Sequence, residues 1–242
     1  MIIKFDALSK PGGRKNNEDF TAAAVSNKCG CYLVADGLGG HRGGDIASRT
    51  ACESIISAFQ ASPGSSVEHL SGYLQAAGLE LEKKQQEYGF VDAIKTTLVI
   101  LLIGRNGATW AHIGDSRLYY FKRCKLEFQT RDHSLTQKLV DLGEIAEEEM
   151  RNHEDRNQLF SVFDSADISC FSLLNKVVDI EKGDAFLLCS DGFWEYVLEV
   201  DMERLLFDHQ QPDRWLEEME KILLQRVELG HDNYSALAVM VG

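Results

Sequence analysis

No run of the 242-residue sequence is long and apolar enough to span a bilayer. The longest strongly apolar stretch, Leu98 to Ile103, falls far short of the ~20 residues that a spanning helix needs. The opening MIIKFDALSK lacks the apolar core of a secretory leader. A cytoplasmic protein without membrane contact is therefore expected. No Pro/Gly/Ser-rich linker, internal repeat or low-complexity tract interrupts the chain, and the 44% hydrophobic content suits one sizeable core. One domain over residues 1–242, acting as a monomer, is the expectation.

Cationic residues are also in short supply. Lys and Arg number 25 against 38 Asp and Glu, and the formal charge of −13 repels a phosphate backbone, which excludes nucleic acid as the main partner. The six cysteines form no CxxC pair and sit mostly in apolar runs, where a reduced thiol behaves as a small hydrophobe. Cys124 and Arg131 stand one residue too far apart for the C-x5-R loop of a cysteine phosphatase. There is no Walker A run and no DxD nucleophile pair.

What the chain does contain is aspartate at the ends of apolar runs. VADGLGG carries Asp36, LLCSDGF carries Asp191, and AHIGDSR carries Asp115. Around them the periodicity alternates in blocks. Gly30 to Asp36 reads as a buried strand, because its apolar residues are continuous. Asp45 is placed to cap a helix with Ala47, Ala51, Ile55 and Ala58 on one face. Ser65 with Glu68 suggests a capping box for a second helix, buried along Leu70, Tyr73, Leu74, Ala77 and Leu81.

Strands are expected at Thr96 to Ile103, Ala108 to Ile113, Arg117 to Phe121, Val177 to Ile180, Ala185 to Cys189 and Tyr234 to Val241. A short helix runs from Ser134 to Leu142, Glu144 to Met150 continues as another, and Trp215, Met219, Ile222 and Leu223 mark a third long helix. Asn152 to Asp167 has no period, and the region 144–168 is expected to be a mobile flap. Helices in blocks rather than after each strand indicate an α+β fold with two mainly antiparallel sheets between helix layers.

Asp19, Asp36, Asp115, Asp191 and Asp232 all lie at strand edges or in adjoining turns, with Glu18 beside the first. Each alone is a common turn residue. Brought together, they would repel by several kcal/mol at an effective dielectric of ~20, so convergence is sensible only with compensating protons or cations. All-oxygen ligands select Mg²⁺ or Mn²⁺ over zinc or copper. Gly37, lacking a side chain, would let its carbonyl approach such an ion. Arg14, in GGRKNNEDF, could fork onto a phosphate held over the metals; the alternative is a surface arginine beside Lys15. For Asp115 the alternative is a turn residue paired with Arg117.

The set GGRKNNEDF, VADGLGGHRGGDIAS, TTLVILL, AHIGDSRLYYF, TRDHSL, LLCSDGFWE and HDNYSALAVMV resembles, in order and spacing, the protein phosphatase 2C-type family of metal-dependent serine/threonine phosphatases in its compact bacterial form. The resemblance runs from about Phe5 to the end of the sequence. It implies a four-layer αββα sandwich that removes phosphate from proteins phosphorylated by Ser/Thr kinases. It also implies two or three Mn²⁺ or Mg²⁺ ions. Asp36 is then the carboxylate shared between two of them, Gly37 the carbonyl donor, and Asp191 and Asp232 the other ligands of the pair. Glu18 and Asp19 match acids that hold metals directly or through waters. Asp115 matches the third-metal ligand, where Asp191 serves again, and Arg14 matches the arginine that grips substrate phosphate. A water or hydroxide bridging the ions attacks phosphorus in line, with no covalent phosphoenzyme.

The chain departs from the family at several points. Leu38 stands where larger members carry a proton-donating histidine, so the general acid is unassigned; His41 is one candidate. Lys95 replaces the glycine before TTLV, and SVFDSAD replaces a segment that reads like TRALG in relatives. His133 and His153 are expected to be structural. Two other readings compete: a catalytically idle module that binds metal or a phosphoprotein, and an esterase for small phosphate esters.

Overall fold

The computed structural model of the chain describes residues 2–26, 29–38, 43–89 and 94–242. Two sheets stack face to face. The first runs in the order β2 (Asp19–Ser26), β3 (Cys29–Leu38), β5 (Leu98–Gly104), β6 (Gly107–Ile113) and β9 (Ser172–Leu173), with β4 (Lys95–Thr96) paired to the end of β3. The second runs β1 (Ile3–Lys10), β11 (Tyr234–Val241), β10 (Ala185–Cys189), β7 (Arg117–Lys122) and β8 (Lys125–Gln129). Every recorded pairing is antiparallel.

The continuous apolar runs arise because both faces of each sheet are covered. Successive side chains of a strand point to opposite faces. In β3, Cys31, Leu33 and Ala35 pack toward α1 (Gly44–Ala61) and α2 (Val67–Tyr88), while Tyr32 and Val34 point into the seam between the sheets. In β10 and β11, Leu187, Cys189, Ala236 and Ala238 face the helices on the other side, and Phe186, Leu188, Leu237 and Val239 fill the seam. After the short α4 (Asp191–Trp194), that outer layer is α5 (Glu199–Asp208) and α6 (Pro212–Arg226), anchored by buried Met202, Trp215 and Met219. Helices on both outer faces give the expected α+β sandwich. Each fully buried Leu, Ile or Phe contributes about 1.5–3 kcal/mol.

Several local expectations need correction. The cap of α2 is Ser66, whose hydroxyl accepts from the His69 amide, rather than a Ser65–Glu68 box. Asp45 lies inside the first turn of α1, and Gly43 occupies the cap position without a side-chain bond. Val177 to Ile180 forms only an isolated bridge, Val178 to Ala108, and α5 went unforeseen. The short helix is right: α3 (Leu135–Asp141) is capped by Ser134 and ends before Gly143 at φ 72°.

The acidic stretch makes a 3₁₀ turn at Glu147–Asn152 in place of an α-helix. Beyond it, the segment expected as a flap is tied down at definite points. Leu159 bridges Ser134, and Phe163 bridges Thr96 while its ring enters the first core against Phe171 at 4.9 Å. Lys95, the departure from the family glycine, reaches Asp164 of this segment at 3.9 Å.

Candidate metal centre

The sheet order explains why scattered aspartates meet. Asp191 follows β10, which ends where the antiparallel β11 and β7 begin, since Cys189 pairs with both Ala236 and Arg117. Asp232 precedes β11 and Asp115 precedes β7, so three carboxylates stand at one edge of three adjacent strands, about 4.8 Å per step. In the facing sheet, Asp19 and Asp36 are direct cross-strand partners. A pocket of about 690 Å³ opens between these edges, lined by Arg14, Glu18, Asp36, Gly37, Asp115, Asp191 and Asp232 among others.

The backbone around each acid is braced. The Asp36 carbonyl accepts from the Thr97 amide at 2.8 Å and the Thr96 hydroxyl at 2.7 Å, and the Asp36 amide donates to the Thr97 hydroxyl. Thr97 Oγ1 in turn meets Ser116 Oγ at 2.7 Å, which ties the Asp36 strand to the Asp115 turn. Ser190 Oγ donates to Asp19 Oδ2 at 2.7 Å across the two sheets. Asn233 accepts from the Glu18 amide and donates to the carbonyls of Pro11 and Asn16. Thr96, Thr97, Ser190 and Asn233 were not singled out from the sequence, although TTLV, LLCSDGF and HDNYS contain them.

Crowding of like charge shows in the titration of these acids. Burial, then Asp19, Asp191, Asp115 and Asp232, holds the Asp36 carboxyl well above the ordinary range. Burial, then Asp191 and Asp132, does the same to Asp115. Burial and Asp232 raise Asp191 to about 6, and burial raises Asp19 to about 7 despite the Ser190 hydrogen bond. Such a site favours protons or cations.

The donors fit a hard divalent ion. They are oxygens, and Asp19 Oδ1 is buried without a partner. A Cβ at Gly44 would come within 2.6 Å of the Gly37 carbonyl oxygen and 2.7 Å of Glu18 Oε2, so those two oxygens converge where glycine leaves room. No group of three or more His, Cys, Asp or Glu side chains among the described residues closes into one ligand shell. Mg²⁺-type sites are commonly so, because the ion keeps several waters and takes few carboxylates.

Three expectations change in detail. Gly37 is required first by packing, since a Cβ there would lie 2.1 Å from the Gly44 carbonyl oxygen of α1. Arg14 is an exposed residue that also lines the pocket, where its Nη2 donates to Asp232 Oδ2 at 3.0 Å. Asp115 is not the partner of Arg117, which forms two 2.8 Å bonds with Asp132 and lies 3.4 Å over the Trp194 ring. Trp194 Nε1 donates to the Asp115 carbonyl at 2.9 Å, so this buried platform supports the turn.

His133 also braces that turn. Its backbone amide donates to the Gly114 carbonyl, its Nε2 meets Ser172 Oγ at 2.8 Å, and burial beside His112 pushes its pKa down to about 4. His153 Nδ1 accepts from the Asp155 amide, a local turn contact. Leu38 lines the pocket and His41 lies outside the described residues.

Carboxylates from both antiparallel sheets thus converge on one pocket that also carries an arginine, and their oxygens suit a hard divalent ion. The chain belongs to the protein phosphatase 2C family: the family model described as "Protein phosphatase 2C" matches residues 12–229. It is 32% identical over 238 residues to the serine/threonine phosphatase stp of Listeria monocytogenes serotype 4b, covering 93% of this chain and 90% of that protein. The crystal structure of the Mycobacterium tuberculosis serine/threonine phosphatase PstP/Ppp is similar at TM-score 0.85 and 26% identity, over 100% of this chain and 99% of that one. A second, the catalytic domain of PstP in complex with two manganese ions, is similar at TM-score 0.84 and 26% identity, over 99% of each chain.

Proposed function

We propose that the protein hydrolyses phosphoserine and phosphothreonine esters of protein substrates with Mn²⁺ or Mg²⁺, reversing the action of Ser/Thr kinases. The observation that carries this reading is the meeting of Asp36, Asp115, Asp191 and Asp232 in one pocket with Arg14 on its rim. Asp36, Asp191, Asp232 and the Gly37 carbonyl would hold a pair of ions, Glu18 and Asp19 would steady it directly or through water, and Asp115 with Asp191 would hold a third. When bound, the ions supply Lewis acidity toward the phosphoryl oxygens and lower the pKa of water.

The chain's own part is positioning. Arg14 offers a planar fork to the phosphate and exchanges its Asp232 partner for it. The Asn233 clamp fixes the Arg14 loop against Glu18. Leu38 can neither give nor take a proton, so it contributes an apolar wall beside the leaving group. The domain is read as one unit over 1–242, with 144–168 as a flap anchored through Leu159 and Phe163 that presents Asn157 and Leu159 to the pocket. Among the described residues no helix is long and apolar enough to cross a membrane. A cytoplasmic monomer is part of the same reading.

An idle module would be free to lose any of Asp36, Asp191 and Asp232, and the sequence carries no Walker A run or DxD pair for a small ester. Turnover of matched phosphoserine, phosphothreonine and phosphotyrosine peptides with Mn²⁺ tests the proposal. Release of phosphate from the first two is expected. Binding without turnover would return the idle-module reading, and hydrolysis confined to small esters would return the other.

A further inference from the structure

The rim of the pocket is uneven in charge. Among the described residues that line it, the cations are Arg14 and Lys15 alone, and the 144–168 segment contributes the uncharged Asn157 and Leu159. Arg14 is engaged with Asp232, whereas Lys15 is exposed and makes no ion pair among the described residues. The backbone on either side of Lys15 is pinned. Asn233 Nδ2 lies 2.9 Å from both the Pro11 and Asn16 carbonyls, and the Gly13 amide donates to the His231 carbonyl at 2.9 Å. The loop also presses so close that a Cβ at Gly12 would lie 2.1 Å from the Asp232 carbonyl oxygen.

The backbone that carries Lys15 is thus held at the edge of the pocket, its ammonium ranges within side-chain reach of that edge, and the phosphate itself is assigned to Arg14. We propose that Lys15 is a specificity-determining residue that selects phosphorylated segments with an acidic side chain beside the phosphoresidue. This rests on the phosphatase reading of the same site. The overall charge of −13 opposes such substrates, but charge beyond about 8 Å is screened at physiological ionic strength, and the acids lining the pocket are offset by the cations they would hold. Lys15 acts within side-chain reach, so the local charge wins.

The test compares kcat/KM for two peptides sharing one phosphothreonine core, one flanked by Asp and Glu and one by Lys and Arg. Wild type, Lys15→Ala and Lys15→Glu are assayed with Mn²⁺, and melting curves confirm that each is folded. One exposed charge pair corresponds to a factor of about two to five. Wild type should favour the acidic peptide by about that factor, Lys15→Ala should bring the two near parity, and Lys15→Glu should reverse the order. Raising salt should shrink the wild-type preference. Equal kcat/KM for both peptides in wild type, or a preference unchanged in both variants, overturns this inference alone. No turnover of either peptide overturns it together with the reading on which it rests.

Discussion

Replacing Asp36 by asparagine should stabilise the metal-free protein while removing its response to metal. Asp36 and Asp19 are cross-strand partners with Cα atoms about 5 Å apart, and two full charges at that spacing repel by about 3 kcal/mol at an effective dielectric of ~20. Water in the pocket and partial protonation reduce this, so a gain of about 1–3 kcal/mol is expected at pH 8. For a chain of this size that raises Tm by about 3–10 °C.

The sign with pH follows from the raised carboxyls. Asp19 at about 7 and Asp191 at about 6 stand above their ordinary 3.8. Their contribution to stability is present below about pH 4 and is lost as pH rises through 6 to 7, because the unfolded chain ionises first. The advantage of Asp36→Asn should therefore vanish near pH 4 and be largest above 7. Thermal melts in chelator, repeated with Mn²⁺, read both effects: the variant melts higher without metal, and wild type overtakes it with metal. A variant that melts below wild type in chelator at pH 8, or gains equally from Mn²⁺, refutes the reasoning.

Removing the Arg14 guanidinium frees Asp232, so Arg14→Ala should bind Mn²⁺ more tightly yet show a raised KM for phosphopeptide; calorimetry and steady-state kinetics check the two separately. Asp115→Ala should keep the tight metal pair and substrate binding but lose most of kcat, with the largest loss on phosphopeptides whose leaving group is poor; near-normal kcat at saturating Mn²⁺ would reduce Asp115 to a turn residue. Phe163→Ala, at a ring 1% exposed, should cost about 3–5 kcal/mol in urea unfolding by opening a cavity where the 144–168 segment meets the first core.

The convergence of Asp36, Asp115 and Asp191 on one pocket and most strands were legible because the runs VAD, AHIGD and LLCSD each lead out of an apolar strand into an aspartate, a pattern that survives without knowledge of partners. The reason for Gly37 was not, because the Gly44 carbonyl that excludes a Cβ belongs to another element. Likewise Arg117 stands two residues from Asp115, yet its partner is Asp132, brought beside it by the β7–β8 hairpin. The α5 helix went unread because its buried Met202, Leu205 and Leu206 are few among charged neighbours. Val177 to Ile180 has strand composition, but only Val178 finds a bridge partner in the sheet.

The central claim is that the aspartate row holds the metal pair, and titration calorimetry of Mn²⁺ into metal-free wild type and Asp36→Asn tests it most directly. Wild type should bind a tight pair of ions, and the variant should lose that pair. Equal stoichiometry and equal affinity in the two proteins would contradict the account.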